Sequence, residues 1–138
     1  MSSQSLPQPL SPPSPQPSPQ PPPERPPHER LDAFLVAREF VAFVAQQRGR
    51  LRGLPGEAGP QLERAAVSAM LNVAEAAGRQ AARDRARVFA IARGEACEAA
   101  AALDIAVLFG ALTAEQAAPA RALLDRLTRM LSRLSRGA

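Results

Sequence analysis

The chain contains no tryptophan, no tyrosine and no lysine, and it has one cysteine and one histidine among 138 residues. A single cysteine excludes a disulfide framework, and the setting GEACEAAAAL predicts that Cys97 is a small buried hydrophobe within a helix. His28 has no neighbouring ligand or base, and the sequence lacks P-loop and nucleophile motifs. We therefore predict no catalytic residue, no metal and no cofactor, and a protein that is not an enzyme.

Long apolar runs are also missing. No run approaches the 18 or so residues of a membrane span, because charged residues such as Asp104 interrupt each one. The first residues do not have the basic and then apolar order of a secretory signal. These features predict a cytoplasmic protein that does not bind membranes.

Proline is concentrated at one end of the chain, with 12 of the 15 prolines in the first 27 residues. Such a density prevents helix hydrogen bonding and a packed core. We expect residues 1–30 to form a disordered tail rich in Pro, Ser and Gln with polyproline II character, and residues 31–138 to fold. The PxxP segments at 12–15 and 19–22 suit a reader of proline-rich motifs; a solubilising spacer is the alternative interpretation.

From residue 31 onward the apolar residues recur with a helical period. Glycine and proline divide this part into four helical segments, at about 31–51, 60–79, 82–109 and 113–136. Gly110 suits the end of the third helix, and Thr113 with Gln116 forms a capping box for the fourth. Pro119 should kink the first turns of that helix or delay it until after residue 118. The fold class is therefore all-α, an antiparallel up-down-up-down four-helix bundle.

The second helix carries a narrow polar stripe. Most of its remaining circumference is apolar, which is more than one four-helix core covers, so we expect the protein to form a homo-oligomer. Three interpretations of the polar residues Ser68, Asn72 and Glu75 stay open: a solvated surface, a seam that fixes the register between subunits, or part of a recognition site. The stripe consists of Gln61, Arg64, Ser68, Asn72, Glu75 and Arg79.

Basic residues are all arginine, and the net charge of +4 lies in residues 31–138. Arginine matches phosphate geometry, although a GC-rich genome would also favour it. If an oligomer repeats these arginines, they suit RNA or DNA backbones; a solvated helix face is the alternative. Base stacking is not expected, because the five Phe suit the core. The candidates form two groups, Arg79, Arg83, Arg85 and Arg87, then Arg126, Arg129, Arg133 and Arg136.

Gly94 stands inside the third helix, where glycine costs about 1 kcal/mol relative to alanine. We expect it to allow close packing with a neighbouring helix rather than to bind a ligand.

A set of residues in the second helix, the third helix and the following turn forms a pattern of specific order and spacing. They are Ala66, Val67, Ser68, Asn72, Ala74, Glu75, Gly78, Arg79, Phe89, Ala92, Gly94, Glu98, Gly110 and Leu112. With this pattern the chain resembles the four helix bundle family of proteins encoded within intervening sequences of bacterial 23S ribosomal RNA genes, which includes the accessory variability determinant of diversity-generating retroelements. The chain departs from the family pattern at Met70, where proline is common, and at Ala76, where glycine is common.

The resemblance implies a ring-like homopentamer, and for the retroelement protein it implies binding to nucleic acid and to a reverse transcriptase. Our leading hypothesis is a non-enzymatic, homo-oligomeric adaptor whose basic surface contacts nucleic acid or a nucleic-acid-handling protein such as a reverse transcriptase. The alternative is a scaffold that recruits a protein partner through the proline-rich tail and binds no nucleic acid.

Overall fold

Four long helices form the folded part of the protein in the computed structural model, which describes residues 2–21 and 31–136. Each long helix contacts two of the others, α1 with α3 and α5, and α4 with α3 and α5. This confirms the predicted all-α bundle, with no strand in the described ranges. The helices are α1 (Asp32–Gln46), the short α2 (Arg48–Leu51), α3 (Ala58–Gly78), α4 (Ala82–Leu108) and α5 (Ala114–Arg136).

The first predicted helix is interrupted at one residue. Gln47 has φ −91° and ψ 2°, so the chain leaves α-helical geometry between α1 and α2. The change of direction allows Leu51 and Leu54 to be buried, with 2% and 8% of their surface exposed. The prediction of one uninterrupted helix over residues 31–51 is therefore wrong at this point, because burial of these leucines decides the path of the chain.

The end of α4 confirms the role predicted for Gly110. This glycine has φ 76°, a left-handed conformation that glycine adopts at little cost. Its N–H donates to the Val107 carbonyl at 3.0 Å, and the next N–H, of Ala111, donates to the Ala106 carbonyl at 2.9 Å. This pair of bonds is a Schellman motif, which satisfies carbonyls that the helix end leaves free.

The start of α5 confirms the predicted capping box. The Thr113 N–H donates to Gln116 Oε1 at 2.9 Å, and the Gln116 N–H donates to Thr113 Oγ1 at 3.0 Å. The helix begins at Ala114 although Pro119 lies within it. Pro119 therefore does not delay the helix, since the capping box fixes the first turn before the proline is reached.

The core is aliphatic and rich in alanine. Its largest members, such as Phe40, Leu62 and Leu103, are fully buried, and many alanines fill the remaining helix contacts. All buried residues of the described part lie between Ala33 and Leu131, and none of them is polar or charged. The described part of the proline-rich tail, residues 2–21, therefore contributes no buried residue to this core.

Two residues expected in the core lie outside it. Cys97 is exposed, and 66% of the Phe109 surface is exposed. The predictions of a buried cysteine and of five core phenylalanines are wrong here, because α4 has alanine on several sides and its packing, rather than its sequence period, decides which side faces inward.

Residues 2–21 of the tail are exposed and form neither helix nor strand. Residue 1 and residues 22–30, which include His28, belong to the predicted tail but lie outside the described residues. Within the described ranges, no helix is both long enough and apolar enough to cross a membrane.

Candidate nucleic-acid interface

The arginines of α5 form an exposed row on the outer face of the bundle. They repeat at intervals of three and four residues, so they share one side of the helix. The opposite side holds Leu127 and Leu131, which are buried with 0% of their surface exposed. Within the described residues, none of the four arginines joins an ion pair. We call this surface the α5 row; it consists of Arg126, Arg129, Arg133 and Arg136.

The second arginine group lies at the turn between α3 and α4, and most of its side chains form ion pairs or hydrogen bonds within the chain. Arg79 forms an ion pair with Glu75 and another with Asp84 at 3.1 Å. Arg87 Nη2 donates to the same Asp84 carboxylate at 3.0 Å. Arg85 Nη1 donates to the backbone carbonyl of Arg79 at 3.3 Å. These side chains therefore join the end of α3 to the start of α4.

Asp84 is the centre of this network. The hydrogen bond from Arg87, together with the positive charges of Arg79 and Arg87, holds the pKa of the Asp84 carboxyl below its ordinary value, although partial desolvation acts in the opposite direction. The hydrogen bond to Glu75 and the charge of Asp84 raise the pKa of Arg79. Arg83 remains exposed, and it has no ion pair among the described residues.

Two cross-helix contacts set the register between α4 and α5. Arg93 Nε donates to Ser132 Oγ at 2.7 Å, and Arg121 pairs with Asp104. Both contacts require antiparallel helices in one register, which places the last turn of α5 beside residues 89–92 of α4. Arg136 and Arg133 therefore lie toward the same end of the bundle as Arg83, at about 9 Å and about 14 Å from it along the helix axis.

The polar stripe of α3 faces the flank that packs against α4. Asn72 Nδ2 donates to the Ser68 carbonyl at 2.9 Å and to Ser68 Oγ at 3.2 Å, and both side chains are half-buried. Arg64 crosses to Glu98 of α4 at 3.2 Å. Along α3 itself, Arg79 forms an ion pair with Glu75, one helical turn before it. A role for Ser68, Asn72 and Glu75 between subunits or in recognition stays a prediction.

Gly94 does not make the predicted close contact within the chain. It is exposed, and a Cβ added at Gly94 would meet no other side chain or neighbouring backbone within 4 Å. The prediction is wrong for the described chain because the glycine lies on the outward side of α4. The close approach occurs instead at Gly59, which sequence reasoning did not single out.

Sequence reasoning also missed a third basic group, at the opposite end of the bundle. Arg48 pairs with Glu63 at 2.9 Å, whereas Arg50 and Arg52 are exposed and have no ion pair among the described residues. Their alternate spacing, Arg-Gly-Arg-Leu-Arg, is visible in the sequence. The α5 row remains the longest set of unpaired arginines that a single helix face presents in the described ranges.

The arrangement can hold anions. The α5 row extends over about 15 Å, since ten residues of helix rise 1.5 Å each, and its guanidinium groups offer planar donor forks that match phosphate oxygens. Residues 2–21 and 31–136 contain no group of three or more His, Cys, Asp or Glu side chains that is placed to hold a metal ion.

A known family matches the sequence of the bundle. The family model described as 23S rRNA-intervening sequence protein matches residues 33–133, which contain α3 and α4 in full, α1 except for its first residue and α5 except for its last three residues. No curated protein matches the chain. Met70 and Ala76, which depart from the pattern described above, leave α3 continuous, and Ala76 is buried.

Proposed function

Because the chain belongs to the 23S rRNA-intervening sequence protein family, we propose that it is a non-enzymatic, homo-oligomeric helical adaptor. Its basic face binds nucleic acid or a protein that handles nucleic acid, such as a reverse transcriptase. The observation that supports this proposal is the α5 row, whose four arginines are exposed and free of ion pairs among the described residues.

Unpaired arginines suit phosphate better than paired ones. A guanidinium that already contacts a carboxylate must give up that contact before it binds a phosphate, whereas a free one releases only its hydration and neutralises charge on the nucleic acid. The α5 row and Arg83 are therefore the proposed phosphate contacts. Arg79 and Arg87 hold the turn between α3 and α4 and contribute mainly positive potential.

Assembly is supported by an apolar surface on the outer side of α1 and α3. Leu35, Val67 and Leu71 expose 45%, 47% and 63% of their surface. Beside them, a groove of about 270 Å³ between the two helices is lined largely by valine and alanine. Covering such side chains in a contact between copies stabilises an oligomer, and the family resemblance favours five copies in a ring.

An oligomer would make weak phosphate contacts effective. One row of four arginines binds a polyanion weakly, but several copies of the row add their contacts when they engage the same strand. The resulting binding depends on backbone charge, not on base sequence, because the row offers donors to phosphate and no aromatic ring for stacking.

The experiment that tests this function is the salt dependence of binding to RNA and to DNA. We expect the wild-type protein to bind both at low ionic strength, and the logarithm of the association constant should fall linearly with the logarithm of the salt concentration. If no salt-dependent binding is found at low ionic strength, the α5 row is a solvated helix face and the proposed function is wrong.

A further inference from the structure

A second apolar surface lies where α3 begins and α4 ends, on the side of the bundle away from α1. There a groove of about 480 Å³ is formed by Pro55, Ala58, Ala101, Ile105 and Phe109, among others. Phe109 is the one mostly exposed phenylalanine of the five in the chain, and all five are described. The groove is therefore an apolar channel with an aromatic ring at one end.

The edge of this groove carries polar groups that suit a backbone ligand. Gln61 Oε1 accepts a hydrogen bond from Arg64, which leaves the Gln61 NH₂ group as a donor. Glu57 and Glu98 are the charged residues that line the groove. A ligand with free carbonyl groups and no negative charge fits this combination.

The proline-rich tail contains a segment with that chemistry. A polyproline II helix has three residues per turn and no internal hydrogen bonds, so its carbonyls are free. In residues 6–15, LPQPLSPPSP, a period of three gives two apolar edges and one polar edge. The first apolar edge is Leu6, Pro9, Pro12 and Pro15, the second is Pro7, Leu10 and Pro13, and the polar edge is Gln8, Ser11 and Ser14.

We propose that the groove of one copy binds residues 6–15 of a second copy, as a polyproline II helix with its two apolar edges against the groove. In the chain taken alone, Leu6 and Leu10 expose 89% and 97% of their surface while the groove is open, so both apolar surfaces lack a cover. The groove offers one aromatic ring, Phe109, and apolar side chains beside it, and a proline-rich segment docks with little loss of entropy because the polyproline II shape is preformed. Residues 2–21 carry no charged side chain, so docking buries no charge of the tail.

The connection is long enough to reach a neighbouring copy. The 16 residues between the docking segment and α1 allow a reach of up to about 50 Å, at about 3.3 Å for each fully extended residue, whereas the 27 residues of α4 extend over about 40 Å. A tail that starts at the α1 end of one bundle can therefore reach the far end of the next. This contact joins copies through the tail, and it does not depend on the proposed binding of nucleic acid.

Cys97 supplies a reporter for the test. It is the only cysteine of the chain, it is exposed, and it precedes Ala101 of the groove by one helical turn. The wild-type chain is mixed with a size-tagged Ser14→Cys, Cys97→Ser variant and treated with oxidised glutathione. Because Ser14 lies on the polar edge, its substitution leaves both docking edges intact, and we expect a disulfide-linked heterodimer between position 14 and Cys97.

The matched control adds Leu6→Ser and Leu10→Ser to the tagged variant. These positions lie outside the core, so the bundle folds as before, and we expect about tenfold less heterodimer. In a second control, a Phe109→Ser chain replaces the wild-type chain in the mixture. Circular dichroism checks that its helix signal is unchanged, and we expect a similar loss of heterodimer.

A separate Ser14→Cys chain that retains Cys97 shows whether the contact forms within one chain. Three results would overturn the proposal: no heterodimer, an equal yield from the serine-substituted tail, or a disulfide in this separate chain that forms only with its own Cys97. The last result would assign the groove to the tail of the same chain. Nucleic-acid binding is measured separately, so a failure here leaves the function of the α5 row unaffected.

Discussion

Gly59 packs directly against the backbone of Leu51. This contact joins the start of α3 to the end of α2. A Cβ added at Gly59 would lie 2.6 Å from the carbonyl oxygen of Leu51, well inside normal contact distance. This position therefore requires glycine for reasons of space. Gly94, on the exposed side of α4, has no such neighbour.

Replacing these two glycines by alanine should have opposite effects on stability. Gly59→Ala forces the Leu51 backbone to move, and we expect a loss of about 1–3 kcal/mol in the free energy of unfolding through overpacking. Gly94→Ala replaces glycine within a helix without a clash, so we expect a gain of up to about 1 kcal/mol. Chemical denaturation of the two variants measures both values. If Gly94→Ala destabilises the protein, Gly94 has a close contact with another copy.

Substitution of the exposed apolar residues on α3 should break the oligomer. We expect light scattering of the wild-type protein to give a mass near five times the 14.6 kDa of the chain. The Val67→Gln, Leu71→Gln variant should have a clearly lower mass, because two apolar side chains that the contact between copies would cover become polar. The control is Ala122→Gln on the exposed face of α5, which should leave the mass unchanged. A wild-type monomer at micromolar concentration would contradict the assembly.

Loss of two arginines from the α5 row should weaken nucleic-acid binding more than loss of two arginines from another part of the surface. Arg129→Gln with Arg133→Gln should weaken binding to all sequences and reduce the salt slope by about one unit for each phosphate that the variant no longer neutralises. The matched control, Arg64→Gln with Arg121→Gln, removes the same charge at side chains that pair with Glu98 and Asp104. We expect a smaller effect from the control. Equal effects would show that net charge alone attracts the nucleic acid.

Stability should fall in acid because of the network at the turn between α3 and α4. The pKa of Asp84 is lower in the folded state than its ordinary value. Its ionised form therefore stabilises the fold above the ordinary pKa of an aspartate, and this contribution is lost as the pH falls through the lower, folded value. Thermal unfolding of wild type and Asp84→Asn should differ at pH 7 and converge at strongly acidic pH. A constant difference at all pH values would show that Asp84 acts only through packing or hydrogen bonding.

Within one helix, the sequence was sufficient to predict much of the structure. The cap at Gly110 and the capping box of Thr113 and Gln116 depend on residues at most a few positions apart, and they formed as the local chemistry requires. The four arginines of α5 share a face because of the helical repeat alone, and that helix has a strongly one-sided distribution of leucine and arginine. The all-α fold and the family resemblance were visible for the same reason, since both depend on periodicity and spacing.

The tertiary structure decided which side chains are free, buried or in contact. Arg79 and Arg87 look as available as the α5 row in the sequence, but the turn brings both to one carboxylate, that of Asp84. In α4, alanine occurs on inward and outward sides alike, so the period could not show that Cys97 faces outward or that Phe109, the residue that caps the end of α4, is exposed. Gly59 and Gly94 are both helical glycines, and only the approach of Leu51 to one of them distinguishes their roles. Each of these outcomes depends on groups that come together only after the helices pack, and a local pattern carries no information about such neighbours.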